Sequence, residues 1–221
     1  MDHPLYHIQG VTHGYGDATI LSIDELKIRK GSITGLSGRN GSGKSTLLKL
    51  MAFVDKPKAG LILFNGLPAS PFSPAIRFRV ALLAQTPYLM KRSVYNNIAY
   101  GLTLRKTTEN MDEKIHAALG WVGLPHDRFL SRKWDALSGG EAKRVALAAR
   151  LVLKPEVLLM DEPTANVDLE SSELISRAAL MARVEWGTTL VIASHDREWL
   201  SKIAETHIHL HEGKMIQPGY Q

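Results

Sequence analysis

Residues 38–46 read GRNGSGKST and decide the fold of this 221-residue chain. They fit the pattern G-x-x-x-x-G-K-[ST], one residue after the apolar stretch SITGL, and they run into the apolar helical pattern KSTLLKLMAFV. Glycines in such a loop let backbone N–H groups turn toward phosphate oxygens, and Lys44 adds a positive charge beside them. The alternative is a glycine-rich turn that only caps a helix, which the Lys-Ser pair between strand and helix disfavours. The pattern therefore predicts a site for nucleotide phosphates.

The same loop is predicted to supply hydroxyl groups to the nucleotide and its metal ion. The Ser45 hydroxyl can enter the shell of a Mg²⁺ ion, and the Thr46 hydroxyl can donate to a phosphate. The residues predicted to bind the nucleotide here are Gly38, Asn40, Gly41, Ser42, Gly43, Lys44, Ser45 and Thr46.

Two carboxylates follow a second apolar stretch, EVLLMDEP at residues 156–163. Carboxylates at the C-terminal end of a buried parallel strand fall in the crevice where α/β folds bind ligands. Asp161 is predicted to hold Mg²⁺, and Glu162 to orient or deprotonate an attacking water. A pair of acids that only solvates a strand end is the alternative, and the phosphate loop makes the catalytic interpretation the stronger one.

Two more polar residues end apolar stretches. Gln85 ends ALLAQ and could contact the metal ion or the water, and His195 follows VIAS. A neutral imidazole there could hydrogen-bond the γ-phosphate and the attacking water, although a single histidine after a strand usually has no function. We include both residues as catalytic candidates because their strands are expected to lie beside the other two.

The order of the patterns predicts an α/β fold with a helical insertion. Period-two stretches begin the chain, helical spacing dominates residues 86–140, and strands alternating with helices follow. Such alternation indicates a parallel sheet with crossover helices. We expect one domain over residues 1–221, in which residues 1–85 and 141–221 form a β subdomain and the nucleotide-binding core. Residues 86–140 are expected to form a helical subdomain.

Composition excludes several classes of protein. The chain has no cysteine, which rules out disulfides, thiol catalysis and cysteine metal sites. Its net charge is +5, but the basic residues are scattered rather than clustered, so an ordinary basic surface is favoured over binding to nucleic acid or to the anionic inner face of a membrane. The apolar stretches are far too short to span a bilayer.

A second small-residue loop, LSGGE at residues 137–141, precedes another helical pattern. The chain resembles the ATP-binding cassette (ABC) ATPases from end to end, because its motifs occur in the order found in that family. They are the phosphate loop, Gln85, LSGGE, the apolar stretch that ends in Asp161 and Glu162, and His195. The resemblance implies a P-loop NTPase core with an N-terminal antiparallel β subdomain and an inserted helical subdomain. It also implies that two cassettes pack head to tail, so that Ser138, Gly139 and Gly140 bind the γ-phosphate held by the other chain.

The resemblance assigns two further residues. Tyr15, in GYGDATIL, matches the aromatic residue that stacks on adenine, although it could instead be an ordinary surface or core tyrosine. Asp168, in TANVDLE, matches the position that contacts the partner cassette.

The resemblance further implies an ATPase subunit of a transporter, using ATP and Mg²⁺. Its implied partners are a second copy in an ATP-dependent homodimer, a separate transmembrane permease and an external solute-binding protein. Its implied location is the cytoplasm, on the inner face of the membrane, and no nucleic acid is expected. The permease contact is expected near residues 86–101, where Tyr88, Leu89 and Met90 either anchor a permease helix or pack the insertion core.

The sequences of the motifs are similar to those of small importer cassettes for oxyanions. The tungstate type is the most similar, followed by the phosphate type. A cassette of an exporter or lipoprotein-release system shares every motif and stays an alternative. Two others are a soluble ABC ATPase acting on nucleic acid or the ribosome and a nucleotide-binding module without turnover. The short insertion disfavours the first, and intact Lys44, Glu162 and His195 disfavour the second.

One cluster near the C-terminus is not explained by the motifs. THIHLH places His207, His209 and His211 on one face of an expected strand, a spacing that could bind a metal. A solvent-facing edge strand without function is the interpretation we favour.

Overall fold

The computed structural model describes residues 3–16, 18–71, 73, 76 and 78–216. The strands are β1 (Tyr6–His13), β2 (Leu21–Ile28), β3 (Ile33–Ser37), β4 (Ala59–Phe64), β5 (Leu67–Pro68), β6 (Val80–Leu83), β7 (Val157–Asp161), β8 (Thr189–Ala193), β9 (Thr206–His211) and β10 (Lys214–Ile216). The helices are α1 (Lys44–Met51), α2 (Val94–Leu104), α3 (Met111–Trp121), α4 (His126–Phe129), α5 (Gly139–Leu151), α6 (Leu169–Trp186) and α7 (Arg197–Ile203), with a 3₁₀ turn at Trp134–Ala136.

A six-stranded sheet forms the centre of the molecule, in the order β10-β9-β3-β8-β7-β6. β9, β3, β8, β7 and β6 run parallel, and β10 pairs antiparallel with β9. β3, β7 and β8 are buried along their whole length because the sheet is covered on both faces.

Alternate residues of these strands belong to two different hydrophobic clusters. In β7, Leu158 and Met160 pack with α5 and α6, whereas Val157 and Leu159 pack with α1 and the N-terminal sheet. This division follows from the period of two in a strand, which sends successive side chains to opposite faces. The continuous apolar runs in the sequence therefore reflect a sheet between two cores.

The second sheet is antiparallel, with the order β2-β1-β4-β5. Its β1 residue Tyr6 is fully buried, and the Tyr6 hydroxyl donates to the carbonyl oxygen of Met51 at 2.9 Å. The Tyr6 ring also contacts the rings of Phe53 and Phe64. The contacts with Met51 and Phe53 attach the antiparallel sheet to the C-terminal end of α1, the helix that follows the phosphate loop.

The helical insertion is built around α2. Val94, Ile98 and Leu102 are buried at a spacing of four residues, as an amphipathic helix requires. Buried Asn97 accepts a hydrogen bond from the Met90 N–H at 2.8 Å and donates to the Met90 carbonyl at 3.1 Å. Leu89 is buried in the same core, so of its two predicted roles the structure supports core packing, whereas Tyr88 is 79% exposed.

β9 is not the solvent-facing edge strand that the histidine pattern suggested. It lies between β3 and β10, because the closing hairpin folds β10 over its outer edge. His209 is half-buried, with Nδ1 2.9 Å from the Ser37 hydroxyl and Nε2 3.1 Å from the Arg197 guanidinium. Among the described residues, no group of three or more histidine or acidic side chains is arranged to hold a metal ion.

Candidate functional site

The carboxyl ends of four neighbouring parallel strands place the predicted motifs at one edge of the core sheet. β3 leads into the phosphate loop, β6 leads to Gln85, β7 ends in Asp161, and β8 leads to His195. The register pairs Asp161 with Ala193 and Leu36 with Ala193, so these ends lie side by side. A parallel sheet thus brings together residues that are far apart in the sequence.

The phosphate loop forms an open cradle at the start of α1. Gly43 takes the N-cap position with φ of +100° and offers no side-chain cap, so the first N–H groups of α1 remain available to an anion. A Cβ atom on Gly38 would lie 2.3 Å from the Leu210 carbonyl oxygen and 2.5 Å from the Ser42 hydroxyl. That hydroxyl is buried without a hydrogen-bond partner among the described residues, as expected for a phosphate donor.

Lys44 is buried within this cradle. Its Nζ donates to the carbonyl oxygens of Gly38 at 2.7 Å and Arg39 at 3.3 Å. The loop backbone therefore holds the ammonium group next to the position where phosphate oxygens would lie.

The cradle opens into a cleft of about 430 Å³. The cleft is lined by Ile20, Asn40, Gly41, Ser42, Gly43, Lys44, Ser45, Thr46, Gln85, Asp161 and Glu162. The structure thus brings the phosphate loop, Gln85 and both carboxylates together around one space.

Asp161, Ser45 and Gln85 offer oxygen ligands that suit Mg²⁺. Asp161 Oδ1 is buried with no hydrogen-bond partner among the described residues. Burial raises the pKa of Asp161 above 3.8, and the Ser45 hydroxyl and the Lys44 charge oppose that shift. A divalent cation would satisfy the free oxygen and compensate the buried charge.

Glu162 is held in a conformation that is uncommon for residues other than glycine. Its φ is +47°, and its backbone N–H donates to the Ala193 carbonyl at 2.8 Å. Its Oε2 lies 2.8 Å from Nδ1 of His195, whose side chain is 65% exposed. Its Oε1 lies 3.8 Å from Lys44 Nζ and has no hydrogen-bond partner among the described residues. One carboxylate oxygen is therefore committed to the imidazole, and the other is free to accept a proton.

The loop LSGGE at residues 137–141, here called the signature loop, lies away from the cleft of its own chain. Ser138 is the exposed N-cap of α5, where its hydroxyl accepts from the Glu141 N–H at 3.2 Å and its N–H donates to the Glu141 carboxylate at 2.8 Å. Gly139 is exposed, and Gly140 packs against Asp168 and Ser171. None of these loop residues lines the cleft, so the structure does not join the two predicted phosphate cradles within one chain.

Tyr15 lies in the loop between β1 and β2. Its side chain is 53% exposed, its ring meets the His13 ring edge-on at 5.4 Å, and its hydroxyl is 3.5 Å from Asp55 Oδ2. Tyr15 is not among the residues that line the cleft, although Ile20 at the other end of this loop is. Its predicted stacking on adenine stays a prediction.

One residue that sequence reasoning missed is Lys143 in α5. Its side chain is buried, and its Nζ donates to the carbonyl oxygens of Glu162 at 3.2 Å and Ala165 at 2.9 Å. The signal in the sequence is its spacing, because Lys143 falls on the same helix face as buried Gly140 and Leu147.

No described helix is long and apolar enough to cross a membrane.

Comparison with known proteins gives consistent results. Residues 21–165 match the protein family described as ABC transporter. The chain is 34% identical to the tungstate uptake system ATP-binding protein of Peptoclostridium acidaminophilum, over 94% of this chain and 95% of that protein. It is 33% identical to the spermidine/putrescine import ATP-binding protein of Bacteroides thetaiotaomicron, over 99% of this chain. The chain spans only 47% of the length of that second relative.

A solved structure shows the same fold. The dimeric, post-hydrolysis structure of an ATP-binding cassette with bound ADP and phosphate matches with a TM-score of 0.86 and 25% identity, over 97% of this chain and 100% of that chain. The predicted fold class, a nucleotide-binding core with an antiparallel β subdomain and a helical insertion, is thereby confirmed.

Proposed function

The chain belongs to the ABC transporter family as an ATP-binding ATPase subunit, and we propose that it powers the import of an oxyanion of the tungstate class. The proposed hydrolysis of ATP rests on one observation, the cleft in which Lys44, Asp161 and Glu162 face one space. The transport part is supported by similarity to importer ATP-binding proteins over nearly the whole chain.

The cleft residues suggest how hydrolysis proceeds. Lys44 exchanges the Gly38 carbonyl for oxygens of the β- and γ-phosphates, and the free N–H groups of α1 hold the same phosphates. Glu162 Oε1 accepts the proton of the attacking water, while His195 restrains Oε2 and is proposed to hydrogen-bond the γ-phosphate. Ser45, Asp161 and Gln85 would hold Mg²⁺, which neutralises phosphate charge when bound.

A second copy of the chain completes each site. The exposed Ser138–Gly139 backbone and the N-terminal end of α5 suit a phosphate, yet they do not line their own cleft. In the proposed homodimer they close over the ATP held by the partner, and Asp168 lies at the same interface. Adenine stacking by Tyr15 belongs to this proposal.

The membrane partner is proposed to bind residues 86–140, taken as the helical subdomain. Tyr88 is 79% exposed at the start of this segment, which suits an apolar anchor within the contact at residues 86–101. The permease and an external solute-binding protein are separate chains in this proposal, and the cassette lies on the inner face of the membrane.

The transported solute is the most specific statement in this proposal. The relative named for tungstate uptake matches along 95% of its length, whereas the relative named for spermidine/putrescine import extends well beyond this chain. We therefore place an oxyanion ahead of a polyamine.

Uptake measurements in the organism that encodes the chain would test this function. Deleting the gene should abolish high-affinity uptake of radiolabelled tungstate, and the wild-type gene should restore it whereas Glu162→Gln should not. Loss of spermidine uptake instead would overturn the cargo and leave the transporter assignment standing. Normal uptake of every solute, with the protein found on ribosomes, would overturn the transport role.

A further inference from the structure

Lys143 lies at a position where burying the charged side chain of a lysine costs free energy. It is on the buried face of α5, with only 5% of the residue exposed. An ammonium group loses hydration on burial, and the first turns of a helix repel a positive charge. Burial lowers the pKa of Lys143, and the nearby Glu162 and Asp161 charges raise it. A side chain in such a place needs partners that compensate for the lost hydration.

Those partners belong to the loop that carries Glu162. Lys143 Nζ donates to the carbonyl oxygens of Glu162 at 3.2 Å and Ala165 at 2.9 Å. The Ala165 N–H also donates to the Glu162 carbonyl at 3.2 Å, which closes residues 162–165 into a turn. The ammonium group therefore binds both ends of this turn and connects it to α5.

The turn needs such support because Glu162 has a φ of +47°. A residue with a side chain keeps that conformation only when its surroundings enforce it. The Ala193 carbonyl fixes the N–H side of Glu162, and Lys143 fixes the carbonyl side. The orientation of the Glu162 carboxylate toward the cleft follows from these two backbone attachments.

We propose that Lys143 is a positioning residue for ATP hydrolysis, which holds the turn at residues 162–165 so that Glu162 faces the attacking water. Lys143 does not line the cleft and so does not bind the nucleotide itself. Because it lies in the helix that begins at Ser138, it also connects the signature loop to the general base of the same chain. This inference rests on the proposed role of Glu162.

Steady-state hydrolysis by the purified full-length chain tests the proposal. Lys143→Met keeps the length of the side chain but removes its donors, and kcat should fall about 10- to 100-fold because the base is misplaced. KM and the affinity for a fluorescent ATP analogue should stay within about twofold, since the cleft is unchanged. Lys143→Gln retains N–H donors and should recover part of the lost kcat.

Arg105→Met is the matched control. Arg105, in the helical insertion, also donates to two backbone carbonyls, those of Leu153 at 2.6 Å and of Phe78, and neither residue lines the cleft. It should lower the melting temperature as Lys143→Met does, while kcat stays within about twofold because no cleft residue moves.

A double variant separates positioning from general stability. In a Glu162→Gln background, adding Lys143→Met should change the residual rate by less than about twofold, because the base it positions is already lost. The proposal would be overturned if the losses of rate from Glu162→Gln and Lys143→Met multiply in the double variant. It would also be overturned if Lys143→Gln alone is as slow as Lys143→Met. A wild-type chain without hydrolysis would instead refute the function itself.

Discussion

At the scale of single residues, Glu162 is the most constrained side chain in the cleft. Its left-handed backbone costs on the order of 1 kcal/mol, and attachments to Ala193 and Lys143 maintain it. One carboxylate oxygen contacts His195, and the other makes no hydrogen bond among the described residues, with Lys44 Nζ 3.8 Å away. The strain therefore coincides with the group that we assign as the general base.

Glu162→Gln should lower the rate of phosphate release about 100-fold or more, because an amide cannot accept the proton of the attacking water. ATP affinity should be nearly unchanged, since the phosphate loop is intact. Glu113→Gln, the same change at an exposed position of α3, is the control and should keep the wild-type rate. Hydrolysis that survives in Glu162→Gln would assign the base to another residue.

Asp161→Asn should preserve or raise the melting temperature of the nucleotide-free protein at neutral pH. Burial raises the pKa of Asp161, so the folded state retains a proton that the unfolded state loses. Stability therefore falls as the pH rises from about 3.8 through the raised pKa, and the deficit persists at higher pH. Asparagine removes this penalty, and the difference should shrink toward low pH.

Calorimetry with and without Mg²⁺ and ATP would check this account. The wild-type chain should gain more thermal stability from Mg²⁺-ATP than Asp161→Asn does. A nucleotide-free Asn variant that melts well below the wild type at neutral pH would contradict the assignment of Asp161 as a destabilising buried charge.

At the scale of elements, the N-terminal end of α5 is built to remain exposed yet rigid. The Ser138–Glu141 capping box closes its first turn, and Gly140 packs against the loop that begins α6. A Cβ atom on Gly140 would lie 2.5 Å from Ser171 Oγ and 3.1 Å from Asp168 Oδ2. The signature loop and the cap of α6 are therefore in direct contact.

Gly140→Ala should destabilise the chain by about 1–3 kcal/mol in urea unfolding, because the added methyl group overlaps Ser171. Gly139→Ala is the matched control, since a Cβ atom there meets nothing within 4 Å, and its stability should equal that of the wild type. Equal stability of the two variants would show that the α5–α6 contact relaxes freely.

The sequence predicts most elements because their patterns are local. The apolar runs of β3, β7 and β8 and the helical spacing of α2, α3 and α5 are all present in the structure. The hypothesis on the histidine strand was wrong because strand order is not a local property, and β10 covers the edge of β9. The sequence left Leu89 open between a permease anchor and a core residue, because exposure within the insertion depends on how α2 packs.

At the scale of the whole molecule, the order of the strands brings the residues of the candidate site together. The crossovers place β3 between β9 and β8, so that the phosphate loop, the Asp161–Glu162 pair and His195 come from adjacent strands. The motifs predicted which residues meet at the cleft, because carboxyl ends of parallel strands share one edge. They could not predict Lys143, since its role depends on how α5 packs against the turn after β7.

The same architecture leaves each chain with two separate halves of a site. The cleft holds the groups that we propose as catalytic, and the Ser138 loop lies outside it with its backbone exposed. A symmetric dimer would place the loop of one chain over the cleft of the other. We therefore expect every working site to combine residues of two chains.

Mixing two inactive variants would show whether a site is shared between two chains. Lys44→Ala disables the cleft, Ser138→Arg disables the loop, and each protein alone should hydrolyse almost no ATP. In an equimolar mixture, half of the dimers carry one intact composite site, so hydrolysis should return to about a quarter of the wild-type rate. A mixture as inactive as its components, at concentrations where the wild-type chain dimerises, would contradict a shared site.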